Sequence, residues 1–288
     1  MNTALQNTEK IKAVFLETQM FCAKHDDMPV LIEHLKQTEK EFSSVAYESA
    51  SMAIASKNFK EGQFPEEWLQ FVKGPAAAHQ AQAYVGLGWA IAKSNLAFST
   101  AVKELDPKLY FRIADGCGYY DGTFKRRQTV INQQLPDYLP TEALPMYDQG
   151  IGRSTWYTEK ADIHAACSRI ESFATGRQAD LWRGVGIAVA YVGGCNDADL
   201  KTLFQYAGTN GYQLACGAAL AARSRTMANT MTADTDHCSR LWFELNADAE
   251  NSNYIANKET GPVTTADGYN EWIKLVEGRL TTDLFISA

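Results

Sequence analysis

The stretch Asp180-Leu-Trp-Arg-Gly184-Val-Gly186-Ile-Ala-Val-Ala-Tyr191 sets two glycines, one residue apart, inside a segment that otherwise reads as an apolar helix. The same pair recurs at Gly86-Leu87-Gly88, Gly116-Cys117-Gly118 and Gly150-Ile151-Gly152, and successive first glycines are 30, 34 and 34 residues apart. Weaker echoes with small residues in place of glycine flank the series at Ser49-Ala50-Ser51 and Cys216-Gly217-Ala218-Ala219. A period of this length is the mark of stacked structural repeats.

Each unit reads as helix, turn, helix, turn. Asp197-Ala-Asp199-Leu200-Lys-Thr-Leu203-Phe204 opens with capping acids and places Leu200, Leu203 and Phe204 on one helical face. Gly193-Gly194 and Gly208-Thr-Asn-Gly211 are helix stops. Further helices are expected near 29–56, 76–94, 107–124, 141–157, 160–173 and 265–284, and alternating strand patterns are scarce. The fold class expected is therefore all-α: helical-hairpin repeats, a tetratricopeptide-like α-solenoid, forming a single elongated domain over 1–288. Its best-marked repeats span 76–228, with an N-terminal cap over 1–45 and a C-terminal cap over 232–288.

Eight glycines in helix interiors cost on the order of 8 kcal/mol relative to alanine, against a net domain stability of roughly 5 to 15 kcal/mol. Something must offset that. One reading is close helix-to-helix packing. The other is that the missing side chains leave room for a ligand along a concave face.

Composition narrows the partners. Of 288 residues, 45% are apolar and 21% charged, which excludes disordered and collagen-like classes. Lys and Arg number 27 against 34 Asp and Glu, a formal charge of −7, and no basic run exceeds Lys125-Arg126-Arg127. Nucleic acid and anionic membranes are thus not expected partners. Six cysteines stand singly with no CxxC spacing and read as free thiols. The first 13 residues lack a secretory pattern, and the longest uncharged stretch, 202–222, is broken by Gln205 and Gln213. A cytoplasmic protein without membrane insertion is expected.

Familiar chemical signatures are missing. A dinucleotide fingerprint needs a third glycine where Ile91, Asp121, Thr155 and Val189 stand, and no Walker loop, HExxH or Gly-x-Ser-x-Gly occurs. The histidines are scattered, and Asp234-x-Asp236-His237-Cys238 reads most simply as an acidic helix start followed by a solvated histidine. No cofactor and no metal are therefore expected.

The polar residues beside the glycine pairs are the candidates for chemistry. Asp115, Gly118, Tyr119 and Gly122 share one helical face, Asp148, Gly152 and Trp156 form a second row with Arg153 beside it, and Asp180, Trp182 and Arg183 open the next unit. Stacking the repeats would bring carboxylates and guanidinium groups together beside aromatic rings. Asp115, Asp121, Asp148 and Asp180 are then candidate proton donors or acceptors, with Arg153 and Arg183 stabilising charge. Trp89, Tyr119, Trp156, Trp182 and Tyr191 are candidate substrate-binding residues. The structural counterpart is that these acids cap helices or bridge repeats and that the rings are core. Cys117 lacks a histidine near it in sequence.

The strings Asp115-Gly-Cys-Gly-Tyr-Tyr-Asp-Gly122, Asp148-Gln-Gly-Ile-Gly-Arg-Ser-Thr-Trp156, Asp180-Leu-Trp-Arg-Gly-Val-Gly-Ile-Ala188 and Tyr191-Val-Gly-Gly194 together resemble a bacterial domain-of-unknown-function family found in enediyne polyketide biosynthetic clusters. The resemblance runs from about Val45 to Arg225; Tyr47-Glu-Ser-Ala-Ser-Met52 departs from the Glu-Gly-Ala usual there. It implies an accessory protein of specialised metabolism and supplies no reaction. With the repeat and the aromatic rows, the expected function is binding of a hydrophobic, polyene-type intermediate or a partner enzyme. The alternative is a cofactor-independent cyclase, isomerase or dehydratase using the aspartates and arginines named above.

Overall fold

The computed structural model describes residues 3–60, 66–103, 105 and 109–243. The helix expected at 265–284, and most of the C-terminal cap, lie outside those residues. Among the described residues the chain forms thirteen α-helices and no strand. In order they are α1 (Thr3–Cys22), α2 (Met28–Lys36), α3 (Ser43–Lys60), α4 (Glu66–Lys73), α5 (Gln80–Ser94), α6 (Phe98–Ala101), α7 (Tyr110–Phe124), α8 (Leu144–Thr158), α9 (Ile163–Glu171), α10 (Thr175–Val192), α11 (Asp197–Ala207), α12 (Gly211–Met227) and α13 (Ala233–Phe243).

Local chemistry sets several of these boundaries. Asp27 and Asp162 accept the Val30 and Ala165 amide N–H groups and so cap α2 and α9. Asn196 and Asp199 form a reciprocal capping box at the start of α11. The connecting helices bury one stripe: Trp68, Phe71 and Val72 in α4, and Ala166, Cys167 and Ile170 in α9.

The long helices α3, α5, α7, α8, α10 and α12 lie side by side in chain order and form an inner row, with the shorter helices outside it. Consecutive inner helices run the same way, since the chain returns between them: Asp115 meets Gln149, and further along both helices Gly122 meets Ser154. The inner helices are buried nearly all round; every residue from Ala81 to Ala92 and from Leu181 to Val192 is buried. Helical hairpins in one all-α domain are thus what the periodicity anticipates.

The glycine pairs explain how the row closes up. A Cβ on the first glycine of a pair would sit under 3.0 Å from a backbone carbonyl of the preceding inner helix: Gly86 from Glu48, Gly116 from Val85, Gly150 from Asp115, Gly184 from Gln149. A Cβ on the second would collide with the following one: Gly88 with Ile113, Gly118 with Tyr147, Gly152 with Leu181, Gly186 with Leu214. Gly217 repeats the first contact against Arg183. Ser51 occupies the second slot of α3, and its hydroxyl donates to the Ala83 carbonyl at 2.5 Å. Backbone-to-backbone approach on both flanks is what offsets the poor helix propensity of these residues. The vacancies leave no room for a ligand, because backbone of the neighbouring helices fills them.

The row curls until its ends meet. Arg225 of α12 donates to the Glu41 carbonyl just ahead of α3 (3.1 Å) and to the Tyr191 carbonyl of α10 (2.6 Å). Helix α1 lies across the concave side, held by Asn7 to the Val192 carbonyl (3.0 Å), by Gln19 to the Ser49 carbonyl (2.6 Å) and by the Phe15 ring against Trp89.

Candidate functional site

Curling the row and laying α1 over it leaves a cavity of about 250 Å³ between the N-terminal turns of α3 and the C-terminal halves of α5, α7, α8 and α10. Its wall is mostly apolar and aromatic, with Phe15 and Leu16 from α1, Trp89 from α5, Tyr119 and Phe124 from α7, and Tyr157 from α8. Two charged residues, Glu48 of α3 and Arg153 of α8, come into this wall from inside the fold, and Lys12 joins it from α1. Glu48 and Arg153 are 5% and 8% exposed, whereas Leu16 and Phe124 are 60% and 62% exposed and form an open apolar mouth. A second hollow of about 40 Å³ lies on the other side of Arg153 and Tyr191, which line both, and is bounded by Gln82, Asp115 and Gln149.

The rings form a continuous cluster. Trp89 meets Tyr119 edge to face at 4.7 Å between centroids, Phe15 lies 4.8 Å from Trp89, and Tyr119 lies 5.6 Å from Tyr157. The Arg153 guanidinium stands over the Tyr119 ring at 4.7 Å. Among the described residues, the Arg153 Nε–H and the Trp89 indole N–H are buried without a hydrogen-bond partner. Both donors belong to residues that line the cavity.

A polar ladder runs across the inner row beneath this cluster. Arg183 pairs with Asp180 and donates from Nε to Gln149 (2.7 Å); Gln149 donates to Asp115 (2.5 Å); and Arg153 forms an ion pair with Asp115. Asp115, Gln149 and Arg183 each precede the first glycine of their pair, and Glu48 holds the same register ahead of Ser49.

The aspartates singled out from the sequence separate into distinct sites. Asp115 and Arg153 do come together. Asp121 faces elsewhere, accepting from Tyr138 (2.8 Å) and Tyr147 (3.1 Å) and pairing with Lys125 at 2.8 Å. Asp148 takes two bonds from Arg177, at 2.8 and 2.5 Å. Asp180 pairs with Arg183 of its own helix. Each is thus committed to a basic partner, Asp115 and Asp148 across to another helix and Asp121 and Asp180 within one turn. Trp89, Tyr119 and Tyr191 line the cavity, while Trp156 and Trp182 are 0% and 1% exposed and do not. The Cys117 thiol is buried, pushed well above its ordinary pKa by that burial, and donates to the Gly88 carbonyl at 3.3 Å, so it is poorly suited to nucleophilic attack. Asp234 accepts the Gly194 amide and Asp236 pairs with Arg240, which uses the two acids of the 234–238 segment structurally.

Sequence reading missed Glu48 and Phe15 and did not count Tyr157 among the binding residues. Glu48 was discoverable, since it stands immediately before the small-residue pair, as Asp115 does. Burial pushes its carboxyl up to about 7, Arg153 pulling it down and Asp115 up by less. Burial works against the charge on Arg153, but Asp115 and then Glu48 outweigh it and hold the guanidinium protonated. Burial likewise raises the phenols of Tyr119, Tyr157 and Tyr191, leaving them neutral hydrogen-bond donors.

Glu48 thereby links stability to pH. Its folded-state pKa of about 7 exceeds the ordinary 4.5, so the folded protein binds this proton more tightly than the unfolded chain. Stability declines as pH rises through that window and the full cost stands above it. Glu48→Gln should therefore stabilise the protein by about 3 kcal/mol above the window and by nothing below it. Urea unfolding at the two extremes checks this; an equal gain at both would refute it.

A family described as "Protein of unknown function (DUF1702)" matches residues 1–279, and the chain belongs to that family. No curated protein and no solved structure matches it. No helix among the described residues is long and apolar enough to cross a membrane.

Proposed function

We propose that this member of the DUF1702 family binds a mostly apolar small molecule with one polar end, seated between α1 and the inner row. The observation that carries the reading is the cavity itself, an aromatic wall with a buried Glu48–Arg153 floor and an exposed apolar mouth. Arg153 and the neutral phenols would take a carbonyl or carboxylate oxygen, and the rings would take the chain. The volume of about 250 Å³ falls short of the roughly 300 to 1,000 Å³ of drug-sized sites. A long chain would thus extend through the mouth over Leu16 and Phe124. Met20, one turn along α1 from Leu16 and 58% exposed, continues that apolar track.

A conjugated polyene is the ligand class that best matches such a narrow aromatic slot. The strings around Asp115, Asp148 and Asp180 further support a place among the accessory proteins of enediyne-type polyketide biosynthesis. The probe is parinaric acid, a linear polyene carboxylic acid whose fluorescence rises in apolar surroundings. Leu16→Gln and Phe124→Gln alter exposed side chains, so stability should stay within about 0.5 kcal/mol, while together they should weaken parinaric acid binding by about tenfold or more. No binding by the unaltered protein, or undiminished affinity in the double variant, would overturn the proposal.

A further inference from the structure

We propose that the cavity is an isomerase site, in which Glu48 shuttles a proton between the α and γ carbons of an unsaturated carbonyl compound with an apolar tail. Arg153, with the adjoining phenols, holds the carbonyl oxygen. The inference rests on the reading of this cavity as the seat of an amphiphilic molecule and adds a reaction to it.

The geometry distinguishes Glu48 from every other acid considered. Asp115, Asp121, Asp148 and Asp180 are each paired to a basic side chain, so their lone pairs are directed at protein donors. Glu48 is buried in the wall of an apolar cavity, and the nearby Arg153 is ion-paired to Asp115 instead. The cavity thus brings a carboxylate beside two residues, Arg153 and Trp89, whose buried Nε–H and indole N–H are unpartnered among the described residues. A carboxyl poised at about 7 exchanges protons readily near neutrality. Such a pairing of a carboxylate base with buried donors is the arrangement that stabilises a dienolate.

The step balances without a cofactor. The ionised Glu48 carboxylate removes a proton from the carbon between the carbonyl and the β,γ double bond. The released electron pair forms a new carbon–carbon double bond to the carbonyl carbon, and the carbonyl π pair moves onto oxygen, facing Arg153. The resulting Glu48 carboxylic acid then returns the proton to the γ carbon as the oxyanion collapses. The double bond has moved into conjugation with the carbonyl, and nothing is oxidised or reduced. In a polyene chain this step lengthens or relocates the conjugated run.

The test uses the full chain with a β,γ-octenoyl thioester in deuterium oxide, followed by proton NMR. The unaltered protein should produce the α,β-conjugated thioester, with the protium taken from the α carbon recovered at the γ carbon. Glu48→Gln should slow this about 100-fold or more, and Glu48→Asp should restore part of the rate. Binding of parinaric acid without isomerisation or exchange by the unaltered protein would overturn the isomerase and leave the binding site standing. Full turnover by Glu48→Gln would overturn the role of Glu48. Absence of both binding and turnover would remove the site altogether.

Discussion

Gly118→Ala is expected to destabilise the protein by about 3 kcal/mol, even though alanine favours a helix over glycine by ~1 kcal/mol. The added Cβ would meet the Tyr147 carbonyl and, at 3.1 Å, the Ile151 nitrogen, both backbone atoms of α8 that cannot rotate away. The two helices would have to separate, and because α8 is held as closely to α7 through Gly150 and to α10 through Gly152, the displacement is resisted on both sides. At roughly 2 to 4 °C per kcal/mol for a chain of this size, the melting temperature should fall by roughly 6 to 12 °C. Gly176→Ala is the control. It lies in the first turn of α10 with nothing within 4 Å of its added carbon, and it should be neutral or stabilising by up to about 1 kcal/mol. Similar losses at both positions would mean that the pairs are not close-approach sites.

Arg153→Met is expected to cost about 3 to 5 kcal/mol, because it strands the Asp115 carboxylate in the interior with a single strong donor, Gln149. Adding Asp115→Leu should recover much of that loss, since an apolar pair of similar volume carries no desolvation penalty. Urea denaturation of the single and double variants gives the coupling directly. The same substitution removes the charge that partly offsets the burial of Glu48, so Glu48 should titrate at still higher pH in Arg153→Met. A small loss in the single variant, with no recovery in the double, would show that the pair contributes little to the fold.

These predictions separate what stabilises the row from what lies inside it. The aspartates at Asp121, Asp148 and Asp180 carried the expected chemistry in the sequence because they sit beside the repeated glycines. In the structure each meets a lysine or arginine, two of them on the next turn of their own helix and Asp148 across to Arg177. Spacing along a helix identifies which residues share a face, but it does not say which basic side chain will already be there. Trp156 and Trp182 illustrate the same limit: like Tyr119 they stand close to a glycine pair, yet they turn into the core while Tyr119 reaches the cavity. Glu48 illustrates the converse, since a serine-bordered echo of the glycine pair concealed a carboxylate in the same register as Asp115.

The amino-acid sequence by itself determined the all-α class, the hairpin repeat and the register of its inner helices. Those follow from interactions between near neighbours: helix periodicity, caps, and small residues placed where two backbones must touch. Only the tertiary structure decided that the row curls, that α1 lies across it, and that Glu48 and Arg153, 105 residues apart, share one cavity. Curvature is the sum of small rotations at every helix contact, so no single repeat encodes it, and the cavity exists only where that sum brings distant helices face to face.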